Sequence, residues 1–346
     1  KIGGVDLPPV TQLFTEDYMV RFLLENSLGA WWAGRHPESP LLGKWEYLRF
    51  RDDGSPAAGS FAGWPETIAG GTVLDPCCGS GHFLVAAFDM LTWMRMEAEG
   101  IDRGEAANRV LRDNLFGLEL DPRCSQIATF AVALAAWQAG GDPKAHLPQI
   151  ACTGIPVRGH LADWKKLARG GSWLEMALTE LHTLFLDAPT LGSLIDPNRA
   201  IRTEDLFAVS PDRLNAALKQ AIRREATGNP ADLFDQSAAD AAHAADLLGR
   251  TYTLVATNVP FLSRGSHDKP LRDFAEKNYP ASKNDLATVF IERGLRFVNS
   301  ERHPGSIAIV SPQNWLFLGS YRQMRQNLLD TTTFGELAIL GEKGFD

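Results

Sequence analysis

Short apolar segments and longer amphipathic segments alternate along this chain. Short apolar runs that end at polar residues are typical of buried strands, whereas longer runs with helical spacing are typical of helices. The pattern predicts strands over residues 72–75, 114–120, 149–155, 252–256 and 306–310, with a late strand near 336–340. It predicts helices over residues 82–99, 122–139, 284–299 and 319–330. Strands and helices in this order indicate a doubly wound α/β sheet.

The first part of the chain has a different pattern. Residues 11–33 predict a helical segment with Thr15 as N-cap, because two acids follow Thr15 in the first turn. Residues 34–70 are rich in Gly, Pro, Ser and charge and have no sustained period, which predicts a long loop over the surface. We therefore expect an N-terminal helical segment with a surface loop over residues 1–70 and the α/β domain over residues 71–346.

A helical insertion interrupts the alternation between the third and fourth predicted strands. Residues 173–250 are rich in Ala, Leu and charged residues. Their apolar residues have helical spacing, for example Leu206, Leu214 and Leu218. We place this helical insertion at about residues 170–250.

Composition and charge narrow the class of protein. With 346 residues, of which 45% are hydrophobic and 22% charged, the chain can bury a sizeable core. Its 34 Lys and Arg residues against 42 Asp and Glu residues give a net charge of −8, which argues against a strongly basic protein that coats nucleic acid. We expect no membrane span, because the sequence has no apolar run of about 18 residues, and we find no secretory signal. Since the first residue is Lys1, we expect part of a longer or processed protein.

The cysteines indicate neither a disulfide scaffold nor a metal site. There are four, they are irregularly spaced, and none belongs to a Cys-x2-Cys pair of the kind that binds structural zinc. We expect Cys77, Cys78, Cys124 and Cys152 to be small hydrophobic residues in a reducing cytoplasm.

A glycine-rich turn after the first predicted strand carries the first indication of chemistry. Its sequence is Asp75-Pro-Cys-Cys-Gly79-Ser-Gly81-His-Phe83. The glycines let the backbone approach a ligand closely, and the following helix directs its first N–H groups toward that ligand. The spacing fits neither a dinucleotide-binding fingerprint nor a P-loop. A turn of this kind also occurs where a strand only needs a tight reversal, so both interpretations stay open here.

Two acids follow later strands. Glu119 lies at the carboxyl end of the second predicted strand, where α/β nucleotide-binding folds hold ribose hydroxyls. The alternative is a solvated acid at a strand end, but the preceding glycine-rich turn favours ligand binding. Asp163, beyond the third predicted strand, can bond an adenine amino group or can simply cap a helix.

The fourth predicted strand ends in Asn258-Val259-Pro260-Phe261, the most informative segment of the chain. Asn258 offers a donor and an acceptor in one rigid amide, Pro260 stiffens the turn, and Phe261 presents a face on which a planar ring can stack. Together they can hold an exocyclic amine and orient its lone pair toward a methyl donor, which is catalysis by positioning. Considered alone, the segment can also be a turn with a buried Phe.

These motifs occur in one order: Phe14-Thr15, Asp75-x-x-x-Gly79-x-Gly81, Glu119, Asp163 and Asn258-x-Pro-Phe. Taken together they resemble the motifs of S-adenosylmethionine-dependent N6-adenine DNA methyltransferases. The chain is most similar to Eco57I-like methylases, PglX-like methylases of BREX phage-defence systems, and type IIG and type I methylation subunits. The resemblance covers residues 11–346 apart from the helical insertion and the 34–70 loop. It implies a Rossmann-like class I methyltransferase sheet, S-adenosylmethionine as cofactor, and methylation of a flipped adenine in double-stranded DNA.

The resemblance also assigns roles to single residues. The motif that closes over the methionine part of the cofactor is matched by Phe14 and Thr15. The cofactor loop, the ribose acid and the adenine-contacting acid are matched by Asp75, Gly79, Gly81, Phe83, Glu119 and Asp163. The catalytic tetrapeptide is matched by Asn258, Pro260 and Phe261, and the segment that usually follows it contains Asp285 and Phe290.

Val259 departs from the family pattern, which usually has Pro at this position. A backbone carbonyl survives the change, so the target amine can still be held, although the turn is less rigid. We interpret Val259 as a variant beside the bound base. Further along, Arg264, Lys269 and Lys283 are candidate phosphate contacts in a polar loop, whose interspersed acids also fit a merely solvated loop.

The resembling family has a target-recognition domain after the catalytic sheet, and we expect it to be absent from this chain. This predicts a fragment, or a protein that needs a specificity subunit or other defence proteins. Two alternatives stay open: methylation of RNA or of protein amides, and a catalytically silent methyltransferase-shaped subunit, which Val259 favours. With a net charge of −8, this chain alone should bind the cofactor and bind DNA only weakly.

Overall fold

In the part of the chain that the structure describes, five parallel strands form one sheet at the centre of the fold. The computed structural model describes residues 15–142, 144–155, 160–167, 172–200, 233–299 and 304–341. The strands are β1 (Val73–Asp75), β2 (Leu115–Glu119), β3 (Gln149–Cys152), β4 (Leu254–Asn258) and β5 (Ser306–Val310). Their order is β3-β2-β1-β4-β5. The predicted doubly wound α/β fold and its first five strands are confirmed.

Helices pack on both faces of this sheet. In chain order they are α1 (Asp17–Leu24), α2 (Ala30–Arg35), α3 (His82–Glu99), α4 (Arg103–Asp113), α5 (Pro122–Gln138), α6 (Leu161–Leu167), α7 (Ser172–Leu184), α8 (Ala188–Leu191), α9 (Pro197–Ala200), α10 (Leu233–Gly249), α11 (Lys269–Asn278), α12 (Leu286–Val298) and α13 (Arg322–Thr331). Side chains alternate across a strand, so Val73 and Leu74 of β1 belong to two different buried clusters. The cluster around Val73 contains residues of α1 to α5, and the cluster around Leu74 contains residues of α7, α10 and α12.

The four predicted helices correspond to α3, α5, α12 and α13, whereas the sequence pattern does not predict α4. One face of α4 is buried through Ala106, Ala107 and Val110. Asp102 is its N-cap and accepts a hydrogen bond from the Glu105 N–H at 2.9 Å. An acid followed three residues later by Glu is a helix-start signal, and it marks this helix in the sequence.

The predicted N-terminal helix is confirmed, but the prediction that Thr15 caps it is wrong. Helix α1 begins at Asp17, and Glu16 occupies the N-cap position without a side-chain cap bond. The Thr15 hydroxyl instead accepts a hydrogen bond from Asn258 Nδ2 at 3.0 Å. The Thr15 side chain thus bonds the end of β4 and does not cap its own helix. A π-helical turn (Glu25–Gly29) joins α1 to α2.

The prediction that residues 34–70 run over the surface is wrong for several of their apolar residues. Leu41, Trp64 and Ile68 are buried in the cluster around Val73. Trp64 Nε1 also donates to Ser306 Oγ at 3.1 Å, which ties the segment to β5. Isolated apolar residues in irregular chain have no period, so the sequence pattern does not reveal their burial. A boundary between structural units at residue 70 stays a prediction.

The predicted insertion between β3 and β4 is helical where the structure describes it. Helices α6 to α10 lie there, with a 3-10 turn (Gly192–Leu194) between α8 and α9. Leu206, Leu214 and Leu218, which supported the prediction, lie outside the described residues.

The prediction of a late strand near residues 336–340 is wrong. Residues 332–341 have no helix or strand, and Phe334, Leu337 and Ile339 are exposed. Within the described part of the chain, the sheet ends at β5. A strand needs a hydrogen-bonded neighbour, and alternating apolar residues alone do not supply one.

Candidate active site

A cavity of about 300 Å³ opens at the carboxyl ends of three strands. The strand order reverses between β1 and β4, and ligands of open α/β sheets bind at such a switch point. Asp75 ends β1, Glu119 ends β2 and Asn258 ends β4, and all three line the cavity. The volume lies at the lower end of the range for small-molecule sites.

The two glycines of the turn between β1 and α3 have different tasks. Gly79 and Gly81 have φ angles of +52° and +95°, a region that favours glycine. A Cβ on Gly81 would lie 3.1 Å from Ala128 Cα, so Gly81 lets α3 pack closely on α5. A Cβ on Gly79 would meet no atom within 4 Å, and Gly79 lines the cavity. Gly79 therefore leaves room for a ligand, whereas Gly81 serves packing.

Two carboxyl groups lie on this side of the cavity, that of the buried Asp75 and that of the half-buried Glu119. Glu119 Oε2 accepts a hydrogen bond from the Gly79 N–H at 2.7 Å, and its Oε1 accepts one from the Asp121 N–H at 2.9 Å. Asp75 Oδ1 accepts a hydrogen bond from the Cys77 N–H at 3.1 Å. Burial raises the pKa of both carboxyl groups, that of Asp75 to about 7. A ligand with a positive charge or with hydroxyl donors is favoured there, because it stabilises buried carboxylates.

On the opposite side, the Asn258 amide is fixed at one end and open at the other. Its Nδ2 donates to Thr15 Oγ1 at 3.0 Å. Its Oδ1 is buried and has no hydrogen-bond partner within the described residues. An unpaired buried acceptor costs about 1–3 kcal/mol. The Oδ1 atom is therefore set to accept a hydrogen bond from a ligand N–H group.

The wall next to Asn258 is apolar. It is formed by Val259, Pro260, Phe261, Leu286 and Phe290. Val259 is buried in the core around Leu74, so its side chain stabilises the turn by packing in place of the rigidity of a proline ring. Aromatic rings beside an amide acceptor suit a planar base that carries an exocyclic amine.

Part of the cavity lining comes from residues that no sequence motif predicts. Residues 190–194, which we call the insertion loop, come from the helical insertion and line the cavity on the Glu119 side. A Cβ on Gly192 of this loop would lie 2.8 Å from Leu120 Cδ1. No local sequence signal marks this long-range contact. Asp121, Cys124 and His82 also line the cavity, and their places directly after the motifs could have indicated them.

The structure thus brings most of the predicted site residues together. Those that line the cavity are Thr15, Asp75, Gly79, Phe83, Glu119, Asn258, Val259, Pro260, Phe261 and Phe290. Gly81 lies behind the turn, and Asp285 caps α12 by accepting a hydrogen bond from the Ala287 N–H at 2.9 Å. Phe14 lies outside the described residues. Asp163 lies within α6, and its side chain is also outside the description.

The three predicted phosphate contacts do not line the cavity. Arg264 is paired with Glu276, and Lys269 is paired with Asp273. Lys283 is half-buried. The acids interspersed in this loop therefore neutralise two of the three positive charges locally, and contact with phosphate stays a prediction for all three.

The described residues show neither a metal-binding cluster nor a membrane-spanning helix. They contain no group of three His, Cys, Asp or Glu side chains that could hold a metal ion. None of their helices combines the length and the apolar character needed to cross a membrane. Each of the four cysteines lies in the described part of the chain and is outside any disulfide bond. Burial raises the pKa of Cys77, Cys78 and Cys152, which makes them poor nucleophiles.

The fold and the cavity define an α/β protein with a ligand site at the switch point of its sheet. Residues 113–345 match the model of the Eco57I restriction-modification methylase family. This match covers more than half of the chain, and the chain belongs to that family.

Two curated relatives extend over nearly the whole chain. It is 30% identical to the adenine-specific methyltransferase BrxX of Escherichia coli O9:H4 (strain HS), over 99% of this chain and 30% of that protein. It is 31% identical to the adenine-specific methyltransferase PglX of Lacticaseibacillus casei (strain Zhang), over 99% of this chain and 28% of that protein. The chain thus spans less than a third of either relative.

A solved structure is also similar. The DrdV–DNA complex determined by cryo-electron microscopy aligns with a TM-score of 0.46 and 14% identity, over 93% of this chain and 23% of that chain. A TM-score below 0.5 does not establish a common fold, so the family assignment rests on the sequence matches.

Proposed function

We propose that this chain transfers a methyl group from S-adenosylmethionine to N6 of an adenine in DNA, within a restriction-modification or BREX-like phage-defence system. The observation that carries the proposal is the buried, unpaired Oδ1 of Asn258 in the cavity wall. An exocyclic amine is the group that this acceptor fits, and the apolar wall beside it fits the ring that carries the amine.

The acidic side of the cavity fits the proposed cofactor. S-adenosylmethionine supplies a methyl group bound to a positively charged sulfur, and it also carries an ammonium group and two ribose hydroxyls. Asp75 would hold the cationic part, and Glu119 would accept hydrogen bonds from the hydroxyls. Each Glu119 oxygen accepts one backbone N–H and keeps a lone pair for a ligand. Gly79 leaves the room that a ligand needs for close approach to the turn.

The amide side would hold the target. Asn258 Oδ1 and the Val259 carbonyl would accept the two N6 hydrogens, and Phe261 would stack on the base. The nitrogen lone pair would then bond to the methyl carbon as the bond from that carbon to sulfur breaks. S-adenosylhomocysteine would be the leaving group, and the extra N6 proton would pass to solvent after transfer. No covalent enzyme intermediate is needed, so the chain acts by positioning and by excluding water.

A base inside a duplex cannot reach this cavity, so the proposal includes flipping of the adenine out of the helix. Double-stranded DNA is the proposed partner. The relatives are more than three times longer than this chain, and a specificity subunit or other defence proteins stay part of the proposal. Cysteines that are not joined in disulfide bonds fit the predicted cytoplasmic location.

One experiment separates this proposal from its alternatives. The full-length protein is incubated with S-adenosylmethionine carrying a tritiated methyl group and, in parallel, with DNA, RNA and protein. We expect label only in DNA, as N6-methyladenine. Label in RNA or in protein amides would show that the substrate is RNA or protein and not DNA. If no methyl group is transferred and calorimetry detects no cofactor binding, a catalytically silent subunit is favoured.

Asn258→Ala tests the residue that carries the proposal. We expect this variant to lose methyl transfer by about 1,000-fold or more, since a buried donor or acceptor at the reacting group contributes on this scale. Asn278→Ala is the matched control, because the Asn278 side chain donates to the Phe274 carbonyl within α11 and Asn278 does not line the cavity. Normal transfer by Asn258→Ala would remove Asn258 from the proposed site.

A further inference from the structure

The insertion loop consists of the end of α8 and the 3-10 turn Gly192–Leu194, and it closes one side of the cavity. Within it, Gly192 has a φ angle of +48°, and a Cβ there would lie 2.8 Å from Cδ1 of Leu120, the residue after Glu119, so the Leu120 side chain would have to move. Thr153 lies between the two segments, donating from its hydroxyl to the Glu119 carbonyl at 3.1 Å and lying 3.5 Å from Ser193 Oγ. The position of the loop therefore determines how much space remains beside Glu119.

A buried arginine holds this loop from behind. Arg293 of α12 is only 2% exposed. Its Nε donates to the Ser193 carbonyl at 3.1 Å, and one terminal nitrogen donates to the carbonyls of Ile195 at 2.7 Å and Leu248 at 2.9 Å. Its guanidinium lies 3.8 Å from the centroid of the Phe297 ring. One rigid group thus joins the insertion loop, the end of α10 and α12.

Stability alone does not account for a charged group in this position. The nearest carboxylate, Asp196, lies 3.6 Å from the guanidinium, too far for a close pair. Burial of a charge carries a large desolvation penalty, and well-packed apolar residues often replace buried ion pairs without loss of stability. The planar fork of arginine is the side chain that can fix several carbonyl groups in one geometry.

We propose that Arg293 is a positioning residue that holds the insertion loop as a wall of the cofactor cavity and thereby sets the affinity for S-adenosylmethionine. The proposal rests on the proposed function only in taking S-adenosylmethionine as the ligand. Arg293 itself does not line the cavity and is not a catalytic residue. Its substitution changes the place of the loop, and the effect on the ligand follows from that displacement.

The test compares two buried arginines. Arg293→Lys keeps the charge and loses the fork, while Arg95→Lys makes the same change in α3. Arg95 is also 2% exposed and bonds to Asn114, Glu99 and Asp113. It lies 13 residues beyond His82 on the same helix, which is about 20 Å from the cavity end.

The affinity for S-adenosylmethionine is measured by calorimetry on the full-length proteins, with thermal melting as the record of stability. We expect Arg293→Lys to weaken cofactor binding by about 10- to 100-fold, the scale of a small misplacement of a binding group. We expect a raised KM for the cofactor with kcat at saturation retained. Arg95→Lys should lower the melting temperature without weakening the binding.

Equal losses of affinity in the two variants, or no loss in Arg293→Lys, would overturn the role of Arg293. If Arg293→Lys does not fold, hydrogen exchange on the wild-type protein decides the matter. Saturating S-adenosylmethionine should then slow exchange at the amides of residues 190–194 and leave those beside Arg95 unchanged. If the protein binds the cofactor but the loop amides are not protected, the insertion loop is not a wall of the cofactor site. If the wild-type protein does not bind the cofactor, the proposed function itself is wrong.

Discussion

The two sides of the cavity are built from opposite chemistry. The acidic side, formed by Asp75, Gly79 and Glu119, has carboxyl groups whose pKa burial raises. Each of these carboxyl groups already accepts backbone N–H groups. The amide side, formed by Asn258, Val259, Pro260 and Phe261, has one neutral polar group in apolar surroundings. Its acceptor has no partner within the described chain.

This difference suggests a division of tasks between the sides. Buried carboxyl groups are stabilised in the charged form by a cation, so the acidic side is suited to retain a charged cofactor. A neutral amide does not change its charge with pH, so the amide side is suited to hold an amine in one orientation. Substitutions on the two sides should therefore alter different measured quantities.

After Asn258 itself, the largest effect in this comparison is expected at Thr15, which fixes the amide side. Thr15→Val keeps the shape of the side chain and removes the oxygen that accepts from Asn258 Nδ2. The amide then loses its fixed orientation, and we expect kcat to fall by about 100-fold. The affinity for the cofactor should change much less. Steady-state kinetics with varied S-adenosylmethionine measure both quantities.

Thr15→Ser is the control for this prediction, because it retains the hydroxyl. It should keep most of the activity. An equal loss in both variants would indicate that the Thr15 methyl group, and not its hydrogen bond to Asn258, matters.

A smaller effect is expected from pH on the acidic side. With a pKa of about 7, Asp75 becomes charged as the pH rises from about 6 to about 8, and only the charged form attracts a cation. We expect the affinity for S-adenosylmethionine to rise by about tenfold per pH unit below this pKa. Asp75→Asn should weaken binding and remove the increase in affinity with pH that Asp75 causes. Any increase that remains would be caused by Glu119. Calorimetry across this pH range gives the affinities.

The same group makes stability depend on pH in the opposite direction. In the unfolded chain the Asp75 carboxyl loses its proton near 3.8, whereas in the fold it keeps the proton until about pH 7. Between these values the unfolded state binds fewer protons, so stability falls as the pH rises and levels off above about 7. Asp75→Asn should therefore be more stable than the wild type at about pH 8. If the wild type is more stable than Asp75→Asn at about pH 8, the charged Asp75 carboxylate does not carry a burial penalty in the fold.

The smallest effect separates the two glycines of the turn. Gly81→Ala places a methyl group against Ala128 in a left-handed conformation, and should lower stability by about 2 kcal/mol. Gly79→Ala has only the conformational penalty, about 1 kcal/mol, but places its methyl group at the cavity. Gly79→Ala should therefore weaken cofactor binding more, although it destabilises the fold less. Denaturation and calorimetry on both variants test this reversal.

The sequence predicts the elements that follow one local rule. The strands β1 to β5 are short apolar runs that end at polar residues, and their ends carry Asp75, Glu119 and Asn258. Since the carboxyl ends of parallel strands meet at one edge, the meeting of these three residues follows from the strand assignment. The motif order adds the family and the roles, which no periodicity supplies.

What the sequence does not predict depends on contacts between distant segments. Thr15 bonds Asn258, Trp64 bonds Ser306, and Gly192 packs on Leu120. None of these contacts has a local signal, because each joins two segments that are far apart in the sequence. The prediction of a late strand near residues 336–340 is wrong for the converse reason. The local pattern is suitable for a strand, but the described chain offers no neighbouring strand for it to pair with.

The most direct test of the division between the two sides is a paired measurement on Asn258→Ala. S-adenosylmethionine is titrated calorimetrically into the wild-type and variant proteins, and methyl transfer to DNA is measured on the same preparations. We predict equal affinity for the cofactor and loss of transfer in the variant. Loss of cofactor binding along with transfer would contradict the account, because Asn258 would then belong to the cofactor site.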